Sequence, residues 1–275
     1  MPDIDVDGLS LHVEREGNGP PVVLLHGFTG SGGSWRSLVD VLAPDYTTLA
    51  IDLVGHGGSA SPAALVRYRM PRAVDDLAAA LRASGFERAA WLGYSLGGRT
   101  ALQVAVHHPE VVSALILEGA TPGLATAEER AERVAADEAL AQRLEHDGLE
   151  AFVDFWQSIS LWDSQRHTLS GQQRAALRRG RLGQNPLGLA NSLRGMGTGA
   201  QEWVGDRLSG VGVPVLLTAG TLDTKFSAIA AEMAAAIPDS TLRLIEGAGH
   251  AAHLERPDAF NTTVRQFLER AGTGR

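Results

Sequence analysis

The sequence predicts an α/β protein: a mostly parallel sheet flanked by helices, with a helical cap inserted between two of its strands. Three observations carry this. Short apolar runs recur along the chain, each bounded by turn residues, as strands buried on both faces of a parallel sheet should be. Amphipathic segments separate them, so strand and helix alternate with right-handed crossovers. The alternation stops between about residues 121 and 207 and then resumes.

The opening "IDVDGLSLHVERE" alternates apolar and polar residues around Asp7-Gly8 and reads as an antiparallel hairpin at the sheet edge. The strands follow as "PPVVLLHGF" (20–28), "YTTLAIDL" (46–53), "RAAWLGY" (88–94), "VSALILEGA" (112–120), "VPVLLTAG" (213–220) and "TLRLIEGAG" (241–249). Helices are predicted from Pro71, with the proline at the first helical position, and from Leu96, Phe226 and Pro257. Residues 121–207 hold helical patterns such as "TAEERAERVAADEALAQRLE" and tryptophans at 156, 162 and 203, but no strand signal. A structureless connection of that length does not fit a compact domain. The expected division is therefore a core of residues 1–120 and 208–275 and a cap of 121–207.

With 275 residues, 44% of them hydrophobic, the chain can bury a core of ordinary size. It has no cysteine, which excludes disulfides and thiolate chemistry. A formal charge of −8 argues against a nucleic-acid partner, which calls for a basic surface. "MPDIDVDGLS" shows neither a basic nor an apolar leader pattern, and no apolar run approaches the ~18 residues of a membrane span. The expectation is a cytoplasmic protein, not a membrane protein, acting as a monomer or small homo-oligomer. Lys225 is the only lysine among 24 basic residues, so nearly every cation is an arginine, whose planar fork suits two-point grip on carboxylates. Codon bias accounts for that composition as a whole; single arginines must be argued by position.

Chemistry concentrates in "LGYSLGGRT" at 92–100. Gly93-Tyr94-Ser95-Leu96-Gly97 fits G-x-S-x-G, follows an apolar strand and opens a helix, the context of a nucleophile elbow. Glycines two residues either side keep Cβ atoms out of a cramped turn. Asp223 and His250 each follow a later strand, in the order that such elbows require, at the strand ends where open α/β sheets place their sites. Ser95, Asp223 and His250 are thus the candidate catalytic residues. "LLHGFTG" at 24–30 resembles the loop that supplies one oxyanion-hole N–H, making the backbone N–H groups of Phe28 and Leu96 the candidate donors. His26 and His56 read as structural.

From about Pro20 to Gly272 the chain resembles the α/β-hydrolase fold. Within that superfamily, "HGFTGSGGSW", "GYSLGGR", "EGATPGLATAEERAERVA", "LRGMGTGAQ" and "GTLDTKF" are similar to the 2-succinyl-6-hydroxy-2,4-cyclohexadiene-1-carboxylate synthases of menaquinone biosynthesis. That resemblance implies a lyase without metal or organic cofactor. Its small-molecule substrate is multiply anionic, and it loses pyruvate after a base takes a proton. Ser95 would be the base, deprotonated by His250, with Asp223 fixing the imidazole tautomer. Arg99, Arg133 and Arg181 match carboxylate-holding arginines and are expected to converge on one pocket. Tyr94 matches the residue before the nucleophile, and Trp156 would wall the site together with Trp162. One departure is the lack of a phenylalanine near Trp162. A carboxylesterase or lactonase, with Ser95 attacking a carbonyl, has the same three residues, and a binding protein on the same scaffold is the non-enzymatic alternative.

Overall fold

The computed structural model describes residues 3–272. Its main sheet has seven strands: β3 (Val13–Glu16), β4 (Pro21–Leu25), β5 (Thr47–Ile51), β6 (Ala89–Tyr94), β7 (Val112–Glu118), β8 (Val215–Gly220) and β9 (Ser240–Ile245), in the order β3-β5-β4-β6-β7-β8-β9. All neighbours pair in parallel except β3 with β5. The hairpin expected at the sheet edge forms around Asp7 and Gly8, but β1 (Ile4–Val6) and β2 (Leu9–Leu11) make a separate two-stranded sheet. It is the following strand, β3, that closes the edge.

The pleat sends alternate residues of each central strand to opposite faces. Val23 and Leu25, Trp91, Leu115 and Leu117 face one core, with helices α2 (Met70–Ala83), α3 (Leu96–His107) and α9 (Thr224–Ala236). Val22 and Leu24, Leu92, Ile116 and Leu216 face the other, with α1 (Arg36–Leu42), the short α10 (Ala252–Glu255) and α11 (Pro257–Arg270). Proline stands second in α2, because Met70 already has helical conformation. Helix α9 begins at Thr224, before the Phe226 expected from its periodicity, since the Asp223 side chain caps it by accepting from the Phe226 N–H at 3.1 Å.

Between β7 and β8 lie α4 (Ala127–His146), α5 (Gly148–Ser158), α6 (Gln165–Thr168), α7 (Gly171–Leu182) and α8 (Pro186–Met196), with no strand among the described residues there. Thr126 with Glu129 and Ser170 with Gln173 form reciprocal capping boxes that start α4 and α7. Ala141 and Leu144 of α4, Phe152 of α5, and Leu189, Ala190 and Leu193 of α8 bury a small core of their own. Arg194 pins α8 to α4 through Glu138 at 2.8 Å and Glu145 at 2.5 Å.

The chain passes from β4 outward to β5 and then back to β6 on the other side of β4. That reversal opens a crevice at the strand C-termini, where α/β sheets bind ligands. The loop after β4 and the turn after β6 flank it.

Candidate active site

Ser95 sits between the last residue of β6 and the first of α3 with φ 52° and ψ −108°, a conformation that costs about 1–3 kcal/mol for a non-glycine residue. Tight packing enforces it. A Cβ on Gly93 would stand 2.1 Å from the Gly97 carbonyl oxygen, and one on Gly97 would stand 2.2 Å from that of Leu25. The flanking glycines are therefore required by space as well as by the turn. The Ser95 N–H donates to the Glu118 carbonyl at 2.8 Å, tying the turn to the end of β7.

The three candidate catalytic side chains meet. Ser95 Oγ lies 3.1 Å from His250 Nε2, and His250 Nδ1 lies 2.7 Å from Asp223 Oδ2. A carboxylate can only accept, so Nδ1 carries the proton and Nε2 is free to accept from the serine hydroxyl. The other oxygen of Asp223 holds the first turn of α9, which fixes the carboxylate before it meets the imidazole. His250 is 3% exposed and packs against Phe226, Tyr94 and Trp162 at ring separations of 4.5, 5.3 and 5.8 Å. Gly119, at φ 55°, leaves the ring its space, for a Cβ there would stand 3.0 Å from Cε1.

His26 and His56 turn inward. His26 Nδ1 donates to the Gly27 carbonyl at 2.8 Å while Nε2 accepts from the Leu53 N–H at 3.0 Å, so the ring buttresses the loop that carries Phe28. Burial pushes the His26 imidazole below its ordinary value, against the Asp52 charge and the Gly27 carbonyl. Burial pushes His56 down to about 3, with His26 adding to the effect and the Val54 carbonyl opposing it.

A cavity of about 210 Å³ surrounds Ser95. Phe28, Leu96, Tyr94, Trp156, Arg99 and Arg133 all line it. Arg181 does not. It lines an adjoining cavity of about 420 Å³, and Phe28, Tyr94 and Trp162 border both spaces. Arg99 and Arg133 thus line the space at Ser95 and Arg181 the space beside it, with three lining residues common to both. Large aromatic rings stand where the two spaces adjoin, and Arg181 lies over the Trp162 ring at 5.2 Å in the second space.

The arginines differ in their surroundings. Arg99, 9% exposed, donates from Nη1 to the Met196 carbonyl at 2.9 Å and to Gln201 Oε1, both neutral acceptors. Burial pushes its guanidinium down to about 9; the Arg133 charge adds to this and Asp137 opposes it. Arg133 is paired through Nε with Asp137 Oδ1 at 2.9 Å. Burial also lowers Arg181, with Tyr94 opposing. Arg99 and Arg181, buried and without a carboxylate partner in an ion pair among the described residues, favour an anionic ligand.

Two features escaped the sequence reading. Lys225, the chain's single lysine, lines the Ser95 cavity; its uniqueness among arginines, two residues past Asp223, was the available signal. Glu118, fully buried, accepts from both the N–H and Nδ1 of His253 at 3.0 Å, and nothing in local spacing joins the end of β7 to the short helix Ala252–Glu255.

An elbow serine at the switch point, bonded to a histidine that an aspartate holds, defines a chain of the α/β-hydrolase class. A family profile described as the alpha/beta hydrolase fold matches residues 20–257. A Bacillus subtilis (strain 168) protein, named provisionally as a 2-succinyl-6-hydroxy-2,4-cyclohexadiene-1-carboxylate synthase, is 44% identical over 95% of this chain and 96% of its own length. The synthase of that name from Serratia proteamaculans (strain 568) is 33% identical over 94% and 97%. The solved structure of MenH from S. aureus is 33% identical and superposes with a TM-score of 0.90 over 95% of this chain and 99% of that one. The chain belongs to the α/β-hydrolase fold family and, within it, to the 2-succinyl-6-hydroxy-2,4-cyclohexadiene-1-carboxylate synthases.

Proposed function

We propose that this enzyme eliminates pyruvate from 2-succinyl-5-enolpyruvyl-6-hydroxy-3-cyclohexene-1-carboxylate to give the cyclohexadiene product for which its relatives are named. The observation that carries the reading is the 3.1 Å approach of Ser95 Oγ to His250 Nε2 inside a cavity that Arg99 and Arg133 also line.

In this reading His250 takes the Ser95 proton, and Ser95 removes a proton from ring carbon. Asp223, 2.7 Å away, holds the tautomer and stabilises the imidazolium. The backbone N–H groups of Phe28 and Leu96 bear the negative charge that develops on the conjugated carbonyl oxygen. Leu96 is suited to this because it opens α3, where the first N–H groups have no partner within the helix. The new ring double bond forms as the carbon–oxygen bond to the enolpyruvyl group breaks. The departing enolpyruvate takes the proton from His250 and becomes pyruvate. No acyl-enzyme forms, and the balance needs no oxidant or reductant. Residues 121–207 serve as the cap that closes the site, with Arg99, Arg133 and Arg181 holding carboxylates and Tyr94 and Trp156 walling the ring. The substrate is a water-soluble anion, in keeping with a cytoplasmic enzyme working as a monomer or small homo-oligomer; no described helix is long and apolar enough to cross a membrane.

The test compares kcat/KM for the enolpyruvyl substrate and for a neutral ester in Arg99→Ala, Arg133→Ala and Arg181→Ala. Hydrogen bonds to charged groups contribute about 1.5–3 kcal/mol, so each change should cost the anionic substrate ~10- to 100-fold. The neutral ester should lose little. Equal, small losses on both would leave a carboxylesterase or lactonase.

A further inference from the structure

Asp137 is a buried acid with no part in the chemistry at Ser95, yet it stands beside two arginines that line the Ser95 cavity. Arg133 comes from α4 of the cap and Arg99 from α3, the helix behind the serine. Asp137 Oδ1 accepts from Arg133 Nε at 2.9 Å, and its charge also bears on Arg99, whose own side-chain hydrogen bonds go to neutral acceptors. Burial pushes the Asp137 carboxyl upward, and the Arg133 and Arg99 charges oppose that. One carboxylate therefore answers two cations that would otherwise repel each other.

Stability of α4 does not account for the pair. An arginine four residues before an acid is the weaker order for an ion pair on a helix. Arg143 and Asp147 have the same spacing further along, at 3.2 Å, and both stay in solvent, whereas Asp137 is 2% exposed. Its second oxygen, Oδ2, is buried with no hydrogen-bond partner among the described residues, at a cost to folding. Space is nevertheless kept for that oxygen: a Cβ on Gly197, just past α8, would stand 2.4 Å from it. A buried group that folding alone disfavours marks a functional requirement.

Arginine presents its donors as a fixed planar fork. Asp137 takes the Nε donor of Arg133, and the two terminal nitrogens, which make no hydrogen bond among the described residues, are left for a ligand in the cavity. The Arg133 side chain is 42% exposed, so untied it would sample many rotamers, and ordering them on binding would weaken affinity. We propose that Asp137 is a positioning residue for anion recognition. It holds Arg133 by Nε with the terminal nitrogens toward the cavity, and it supplies the countercharge that keeps Arg133 and Arg99 together before a ligand arrives. It touches no reacting atom. Which anion is bound rests on the reading above; the coupling of Asp137 to Arg133 does not.

The test is a double-mutant cycle in the intact protein, with kcat and KM measured for the enolpyruvyl substrate and for a neutral ester. Pyruvate, titrated by ligand-detected NMR, is the probe of anion binding that needs no turnover. Asp137→Ala should raise KM for the anionic substrate and weaken pyruvate binding about tenfold, with kcat and the ester kinetics changed less than about twofold. Asp137→Asn, which keeps an acceptor for Nε and loses the charge, should lose only about threefold. In an Arg133→Ala background, Asp137→Ala should add less than about twofold, because the side chain it positions is gone. Circular dichroism checks folding; if Asp137→Ala does not fold, Asp137→Asn alone decides. An unchanged or lowered KM, equal losses on the anionic and neutral substrates, or full additivity with Arg133→Ala would each overturn the proposal, as would neither turnover nor saturable pyruvate binding by the unaltered protein. If pyruvate binding shows the coupling but the enolpyruvyl substrate releases no pyruvate, the role of Asp137 stands and the proposed reaction falls.

Discussion

Glu118 joins His253 through two 3.0 Å hydrogen bonds while its own carbonyl accepts from the Ser95 N–H at 2.8 Å. One buried residue at the end of β7 thus holds the turn of the serine and the loop of the histidine in a fixed relation. Removing the carboxylate leaves a buried backbone N–H and ring N–H without an acceptor, at about 1–3 kcal/mol each. Glu118→Ala should lower unfolding stability by that order in urea titration, and Glu118→Gln, which keeps an acceptor, should lose less. In the folded fraction kcat should fall while KM changes little, because misplaced catalytic groups weaken the reaction more than binding.

The backbone at Ser95 gives a stability prediction separate from catalysis. With φ at 52°, the residue stores strain that glycine does not feel. Ser95→Gly should therefore be more stable than Ser95→Ala by about 1–3 kcal/mol in the same titration. Equal stabilities would show that the turn is not strained.

Acid should destabilise the protein through His56. Its folded value of about 3 lies below the ordinary 6.5, so between those limits the unfolded chain binds the proton and the native chain does not. That contribution is intact above about pH 6.5 and declines by about 1.4 kcal/mol per pH unit as pH falls through the window. His26, lowered in the same direction, adds to the slope. Comparing urea midpoints of the unaltered protein and His56→Asn at about pH 7.5 and about pH 5 isolates the effect. A smaller acid loss in His56→Asn is expected; identical losses would contradict it.

Most strands legible in sequence are buried on both faces, and their apolar runs are continuous: Val22 to Leu25 and Leu115 to Leu117 have almost no exposure; β9 was equally legible but is a part-exposed edge strand, with Leu244 46% exposed, rather than one buried on both faces. Helix α1 was missed, although Trp35, Leu38, Val39 and Leu42 carry helical spacing, because it is short and follows a glycine-rich loop. Strand β3 was merged with the hairpin before it, since alternation alone does not say which partner a strand pairs with. At the site, the order of Ser95, Asp223 and His250 was readable because strand ends converge in this topology. The separation of Arg181 from Arg99 was not readable, for it depends on where three aromatic side chains from different elements come to rest. The bond between Glu118 and His253 was hidden for the same reason.

The proposed role of Ser95 as a base in pyruvate loss is tested by measuring pyruvate release from the enolpyruvyl substrate by the unaltered enzyme and by Ser95→Ala. One pyruvate should form per cyclohexadiene product, without an acyl-enzyme burst. Ser95→Ala should release pyruvate about 10³-fold or more slowly while remaining folded, since losing one member of a cooperating group removes most of its effect. Near-normal release by Ser95→Ala, or ester hydrolysis by the unaltered enzyme with no pyruvate formed, would contradict it.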